Sequence, residues 1–242
     1  MRSAWFGLLV ISTAAAAQTP APLPVDTIVG RYLAARGGAD RIRNTKEIRM
    51  VGHMEFGQGA NGIDTIEMAR PGRIRTAVHL AEGTLIQAYD GRTVWGTYPG
   101  DSGPHALDTG TAKNVIAGGD MDGPLLDYRA RGIQVTLIGP DTAQGKPAWA
   151  LRVIRPDSTV DTYFIDAASY ELTRWQGNRV ADGLPVIYET YFSDYRRYGG
   201  MLFPCRLESH TLNRPGSQLI IVDSVAVDLP VSDQRFKLPN SH

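Results

Sequence analysis

The residues of this chain that could do chemistry are few, and they do not converge. Gly100-Asp101-Ser102-Gly103-Pro104 has the residue types of a loop that sets a nucleophilic serine among backbone amides, which would stabilise the oxyanion of an acyl transfer. It is one glycine short of that pattern, and neither His53 nor His79 stands in the context a partner base would need. Gly, Asp, Ser and Pro are also ordinary turn formers, so a surface loop is the reading here. The five histidines, His53, His79, His105, His210 and His242, show no metal-ligand spacing. Gly119-Asp120-Met121-Asp122-Gly123 has some acids of a calcium loop but lacks the others and the distal glutamate, and Asp122 reads as a helix N-cap. Asp161, Asp166, Asp194 and Glu208 are scattered through strands and turns. A facing pair of them could serve as general acid and base, but sequence spacing does not show that any two face each other. There is no nucleophile elbow, phosphate loop or dinucleotide fingerprint. No catalytic residue, metal or cofactor is expected.

The elements that would position any site are mostly strands. Ile48, Met50, Met54 and Phe56 alternate with Arg49, His53 and Glu55. Ile74, Val78 and Leu80 alternate with Arg73, Arg75 and His79, and Ile133, Val135 and Leu137 with Gln134 and Thr136. A period of two with one wet face predicts antiparallel strands. They are expected at about 46–56, 63–70, 72–80, 84–90, 92–98, 133–138, 147–155, 159–166, 170–177, 185–194, 201–212 and 217–228, with Arg155 to Thr159 as a tight hairpin turn. Ile28, Val29, Tyr32 and Leu33 recur at helical spacing over Val25 to Arg36, and Gly37-Gly38 ends that pattern. A helical turn is expected around Asp40 to Arg43. Between Pro99 and Gly132 the alternation breaks, predicting a loop at 100–111 and short helices at 112–116 and 123–130, the second with Leu125, Leu126 and Tyr128 as its apolar members. That many strands cannot lie flat, so the fold class is mainly β (α+β): an unclosed antiparallel β-barrel, or half-barrel, with helices plugging or lidding its concave face.

Met1-Arg2-Ser3 followed by Ala4 to Ile11 and then Ala15-Ala16-Ala17 has the charged tip, short apolar run and small residues of an export signal, with cleavage near Ala17–Gln18. The run is too short to span a bilayer, and no cysteine at the cleavage point offers a lipid anchor. The organisation expected is a signal peptide at 1–17, a flexible leader at 18–24 and one half-barrel domain over 25–242. Basic and acidic residues balance at 25 each, which argues against nucleic acid as a partner. Cys205 is the one cysteine, so no internal disulfide is possible, and it reads as a small buried apolar residue.

Some stretches are more individual. Met68-Ala69-Arg70-Pro71-Gly72-Arg73-Ile74-Arg75 ends one strand and opens the next, and Tyr89-Asp90-Gly91-Arg92-Thr93-Val94-Trp95 forms a hairpin. The tail reads Val231-Ser232-Asp233-Gln234-Arg235-Phe236-Lys237-Leu238-Pro239. Together these resemble the periplasmic outer-membrane lipoprotein carriers, LolA and its LolB-like relatives. The resemblance implies an open barrel whose helix-lidded concavity accepts acyl chains. It also implies that the arginine before the proline, here Arg70, bonds carbonyls of the lid and keeps the empty cavity shut.

The function expected is therefore a soluble periplasmic carrier or binding protein for lipoproteins or other lipids, without enzymatic activity. Its cargo would be a lipid or an acylated lipoprotein, with an inner-membrane donor and an outer-membrane acceptor as possible partners and no stable membrane anchor. The cavity-facing candidates are Met50, Met54, Phe56, Ile74, Val78, Leu80, Val135, Leu137, Trp149, Leu151 and Val153, with Arg70 as the latch and Leu125, Leu126 and Tyr128 on the lid helix. Two alternatives belong to other classes: an envelope lipid-sensing or regulatory domain of the same fold, and a secreted hydrolase using Ser102 or scattered carboxylates.

Overall fold

Alternation of apolar and polar residues forces this chain into strands, and a computed structural model shows how far it carries. It describes residues 23–57, 59–181, 184–213 and 215–239. The expected export signal, Met1–Ala17, lies outside them, as does all but the end of the leader. Among the described residues thirteen strands form one antiparallel sheet. In chain order they are β1 (Glu47–Phe56), β2 (Asn61–Ala69), β3 (Arg73–Leu80), β4 (Gly83–Tyr89), β5 (Val94–Thr97), β6 (His105–Ala106), β7 (Gln134–Ala143), β8 (Lys146–Ile154), β9 (Val160–Asp166), β10 (Leu172–Ala181), β11 (Leu184–Tyr198), β12 (Met201–Thr211) and β13 (Ser217–Val227). The order across the sheet is β6-β5-β4-β3-β2-β1-β13-β12-β11-β10-β9-β8-β7. The chain runs out to one edge, crosses to the other, and meanders back until β13 pairs with β1. The two edges do not meet, so the barrel is open.

Register sets which residues share a face. Ile48 stands opposite Met68, Met68 opposite Ile74, and Ile74 opposite Tyr89, so these four line one inner row across β1–β4. On the far side Val135, Val153, Asp161 and Gly177 make another such row across β7–β10. The inner face carries three helices: α1 (Val25–Ala35), α2 (Ala39–Asn44) and α3 (Thr109–Gly118). Helix α1 ends where Gly37 and Gly38 take positive φ, a conformation L side chains resist. Helix α3 begins three residues before the expected 112–116 because Asp108 caps it, accepting from the amides of Gly110 at 2.9 Å and Thr111 at 3.1 Å. Part of the expected loop at 100–111 is the short edge strand β6, paired to β5.

The outer face is strapped by the tail. Phe236 is fully buried, its carbonyl accepts from Trp95 Nε1 at 2.8 Å, and Arg235 grips the buried Glu67 carboxylate at 2.7 Å. Cys205 is buried as the free thiol read from the sequence.

Candidate functional site

One half of the inner face is filled. Helix α1 lays Ile28, Val29 and Tyr32 on β7–β9, where they pack with Val135, Trp149, Leu151, Val153 and Ile165, and Leu125, Tyr128 and Ile133 close the cluster. Leu151 and Val153 are fully buried and Leu137 packs at the margin. These strand residues face inward, but the hollow expected above them is occupied by the protein's own helix. A second cluster lies beneath the C-terminal end of α3: Ile42, Ile48, Met68, Ile74, Val115, Met121, Leu126, Met201 and Phe203, with Met50 at its edge. Val78 and Met54 are buried as well, Met54 Sδ taking a contact from Gln218 Nε2 at 3.2 Å. Leu80 is half-buried. Phe56 borders a rim cavity of about 340 Å³ with His210 and Gln218. The cavity-facing candidates are thus corrected: nearly all are core.

The lid helix over 123–130 is also corrected, because 124–132 is a run of turns. Pro124 follows Gly123 at φ +67, and Asp127 sits at φ +49, a left-handed conformation that no α-helix continues through. Leu125 joins the cluster under α1 and Leu126 the cluster under α3. The segment is pinned by charge instead of helical bonds. Arg131 donates to the Gly123 carbonyl at 2.6 Å and to Asp120 at 2.7 Å. Asp26 of α1 accepts from Tyr128 at 2.5 Å and from Arg129 at 2.7 and 2.8 Å, and these bonds hold its carboxyl down at about 2.

Asp122 is therefore not an N-cap. Its carboxylate takes Arg70 at 2.5 and 3.1 Å, and its carbonyl takes Arg36 at 3.0 Å. Arg70 also donates to the carbonyls of Ile42 at 2.9 Å and Thr45 at 2.7 Å, at the end of α2. The guanidinium fork thus ties three segments: the end of β2, the last turn of α2, and the stretch following α3. The backbone carbonyls it meets belong to α2 and not to the 112–130 segment, whose contribution is the Asp122 side chain.

What stays open is a trough of about 820 Å³ between α3 and the floor made by β9–β12, within the size range of small-molecule sites. Its roof is the small and polar side of α3: Thr111, Asn114, Ala117 and Gly118. Its floor is aromatic and hydroxylic, with Tyr163, Trp175, Tyr188, Thr190, Phe192 and Ser209. None of the candidates named from the sequence borders it. At one end stand Arg155 and Arg179, both on the fully buried Asp161. Arg179 Nη1 reaches Oδ1 at 2.9 Å, and Arg155 Nη2 reaches Oδ2 at 3.1 Å. Arg155 also approaches the Tyr163 hydroxyl at 3.4 Å, whose pKa burial pushes up. A cleft of about 740 Å³ on the other flank of α3 reaches from Arg155 to the Arg70–Asp122 pair.

No protein-family model and no curated protein sequence matches the chain. Solved structures do. A domain described as outer membrane lipoprotein-sorting, from Vibrio parahaemolyticus, superposes with a TM-score of 0.59 at 9% identity, covering 87% of this chain and 94% of its own. A DUF1329 family protein from Desulfovibrio piger gives 0.60 at 11% identity, covering 88% and 97%. A LolA superfamily protein from Nitrosomonas europaea gives 0.55 at 12% identity, covering 89% and 98%. The fold is the LolA-like open barrel. At such identities the likeness fixes architecture, and the lining of this LolA-like concavity has to be read from this chain's own side chains.

Sequence reasoning missed Arg155, Asp161, Trp175 and Arg179. Arg155 and Asp161 were visible only as a hairpin turn and a stray acid. One signal was present: Gly177, a glycine inside a strand, which marks a close approach. A Cβ there would meet Asp161 Oδ1 at 2.3 Å, so the strand leaves out a side chain where the charge cluster crosses it. Ser102 sits in an exposed turn, with Asp101 accepting from the Tyr98 amide at 2.7 Å and facing His105 at 3.4 Å.

Proposed function

We propose that this protein is an exported, non-enzymatic binding protein that shelters a lipid or acylated guest in the trough beneath α3, and that it works as a carrier in the periplasm. The trough carries the reading: an unfilled concavity on the inner face of an open barrel, roofed by one helix. Burial of hydrocarbon there gives about 0.8 kcal/mol per methylene, so even part of an acyl chain supplies useful affinity. The Met1–Ala17 segment supports export. The outer membrane lipoprotein-sorting domain among the structural relatives supports the ligand class by analogy of fold. The roof helix α3 continues into the segment that Arg70 and Arg131 hold by Asp122 and Asp120, so these pairs bear on how far the roof can move.

The test is native mass spectrometry of the protein purified from the envelope of cells that express it, followed by titration with a fluorescent fatty-acyl probe. Co-purifying lipid and saturable probe uptake are expected. A protein that emerges empty and takes up no probe would overturn the proposal. Purified protein that turned over ester substrates, and lost this with Ser102→Ala, would favour the hydrolase instead.

A further inference from the structure

The trough is not evenly greasy, and its charge is one-sided although the chain as a whole is neutral. Among the described residues its border includes two arginines and no carboxylate. Asp161 lies behind them with a side-chain exposure of 0%, so two guanidinium groups share one buried carboxylate and a positive charge is left over. Both arginines border the trough and keep a side-chain exposure of 18% and 16%. Arg155 spends Nε and Nη2 on Asp161, and Arg179 spends Nη1 on Asp161 and the Asn178 carbonyl. Among the described residues that leaves Arg155 Nη1 and Arg179 Nη2 without a protein acceptor, out of the five donors each group offers. The Arg179 guanidinium carbon also lies 4.6 Å from the centroid of the Trp175 ring. A neighbouring cleft of about 280 Å³ adds Lys113 beside the same arginines. Among the described residues Asp157 is the acid that borders this cleft, and it accepts from the Thr159 amide at 3.0 Å. Its carboxyl is held low by Thr159 first and also by Arg155 and Lys113, which leaves three cations against Asp157 and Asp161.

Excess cation in a half-desolvated wall is costly unless an anion completes it. Planar guanidinium groups with spare donors match carboxylate and phosphate oxygens. From the arginine pair the floor then runs over Trp175, Tyr188 and Phe192, which offer apolar area but no further charge. We propose that the trough selects amphiphiles with an anionic head, a carboxylate or phosphate, seated on Arg155 and Arg179 with the hydrocarbon laid along the aromatic floor. This rests on the guest-binding reading above and deepens it to a ligand class.

The test compares dodecanoate, dodecyl phosphate, dodecanol and inorganic phosphate by calorimetry below micelle formation. Both anionic amphiphiles should bind at least about tenfold more tightly than dodecanol, as expected for a charge-assisted bond. In Arg179→Gln, where Arg155 and Asp161 cancel, the preference should fall to within about twofold. Arg179→Gln combined with Asp161→Asn frees the Arg155 charge and should restore it, a rescue that mere damage to packing would not give. Equal affinity for the three amphiphiles in the unmodified protein would sink the head site while leaving guest binding intact. Binding of none of them would overturn both. Inorganic phosphate binding as tightly as dodecyl phosphate would show a free-anion site and overturn the amphiphile.

Discussion

The two halves of the inner face are built from the same kind of strand, yet one is solid and the other hollow. Over β7–β9 the covering helix α1 points Ile28, Val29 and Tyr32 at the sheet and fills the space above those strands, leaving a smaller cavity of about 230 Å³ at its margin beside Tyr32 and Tyr163. Over β9–β12 the covering helix α3 turns Thr111, Asn114, Ala117 and Gly118 toward the floor and spends Val115 on the cluster at its other side. The vacancy is therefore a property of the roof. Strand alternation decides which side chains face inward, and the volume carried by the helix above decides whether they become core or lining.

The sharpest way to break this contrast is to hollow the solid half. Leu151→Ala removes a fully buried side chain from the cluster under α1 and should cost about 2–5 kcal/mol, read as a lower midpoint in chemical denaturation. If α1 is a movable plug instead of fixed core, the loss will be small and probe uptake will rise.

Two buried aspartates carry the comparison into electrostatics. Asp161, on the open side, is held by two arginines. Asp64, on the inner face of β2 between Gly52 and Val78, is buried with Oδ1 unpartnered. Burial pushes its carboxyl up from 3.8 to about 6, with a backbone bond at Thr65 offsetting part. A raised folded pKa means a contribution fully present below pH 3.8 and lost as pH rises through about 6. Above that the ionised carboxylate costs the fold about 3 kcal/mol. Asp64→Asn should accordingly gain up to about 3 kcal/mol on the parent between pH 4 and pH 8, measured by thermal melts across that range. A difference that does not change with pH would mean that Asp64 has a partner.

What could be read from the sequence divides along the same line. β1 and β3 begin and end within a residue of their expected bounds, and the row Ile48, Met50, Ile74 faces inward as the alternation requires. A period of two reports a face but says nothing of what covers it, so inward-facing Trp149 and Leu151 were read as cavity when α1 had claimed them. The 123–130 segment misled for a different reason. Leu125, Leu126 and Tyr128 have helix-like spacing, but Asp127 takes a left-handed conformation that no α-helix continues through, and Leu125 and Leu126 pack into different clusters. The charge cluster was hidden because Arg155, Asp161 and Arg179 meet only through the registers of three strands and a turn. Arg70 stood out only because a resemblance pointed at it, since the groups it bonds at Ile42, Thr45 and Asp122 lie far from it in sequence.

The smallest expected change in stability gives the most specific test of the roof. Ala117 is exposed on α3, faces the trough, and has open space on the floor side. Ala117→Phe exchanges one residue in a capped helix, so stability should move by no more than about 1 kcal/mol, the cost of lower helix propensity offset by new apolar contact. The ring would project into the volume a guest needs, much as Tyr32 does from α1 in the solid half. Probe uptake should therefore drop at least about tenfold while the melting curve barely shifts, because the displaced contacts with Trp175 and Phe192 are worth a kcal/mol or more. The same substitution at Ile116, which is exposed and borders the cleft on the other flank of α3 instead of the trough, serves as the control. Equal uptake by Ala117→Phe and Ile116→Phe would mean that guests do not pass beneath α3, and the hollow half would lose its meaning as a site.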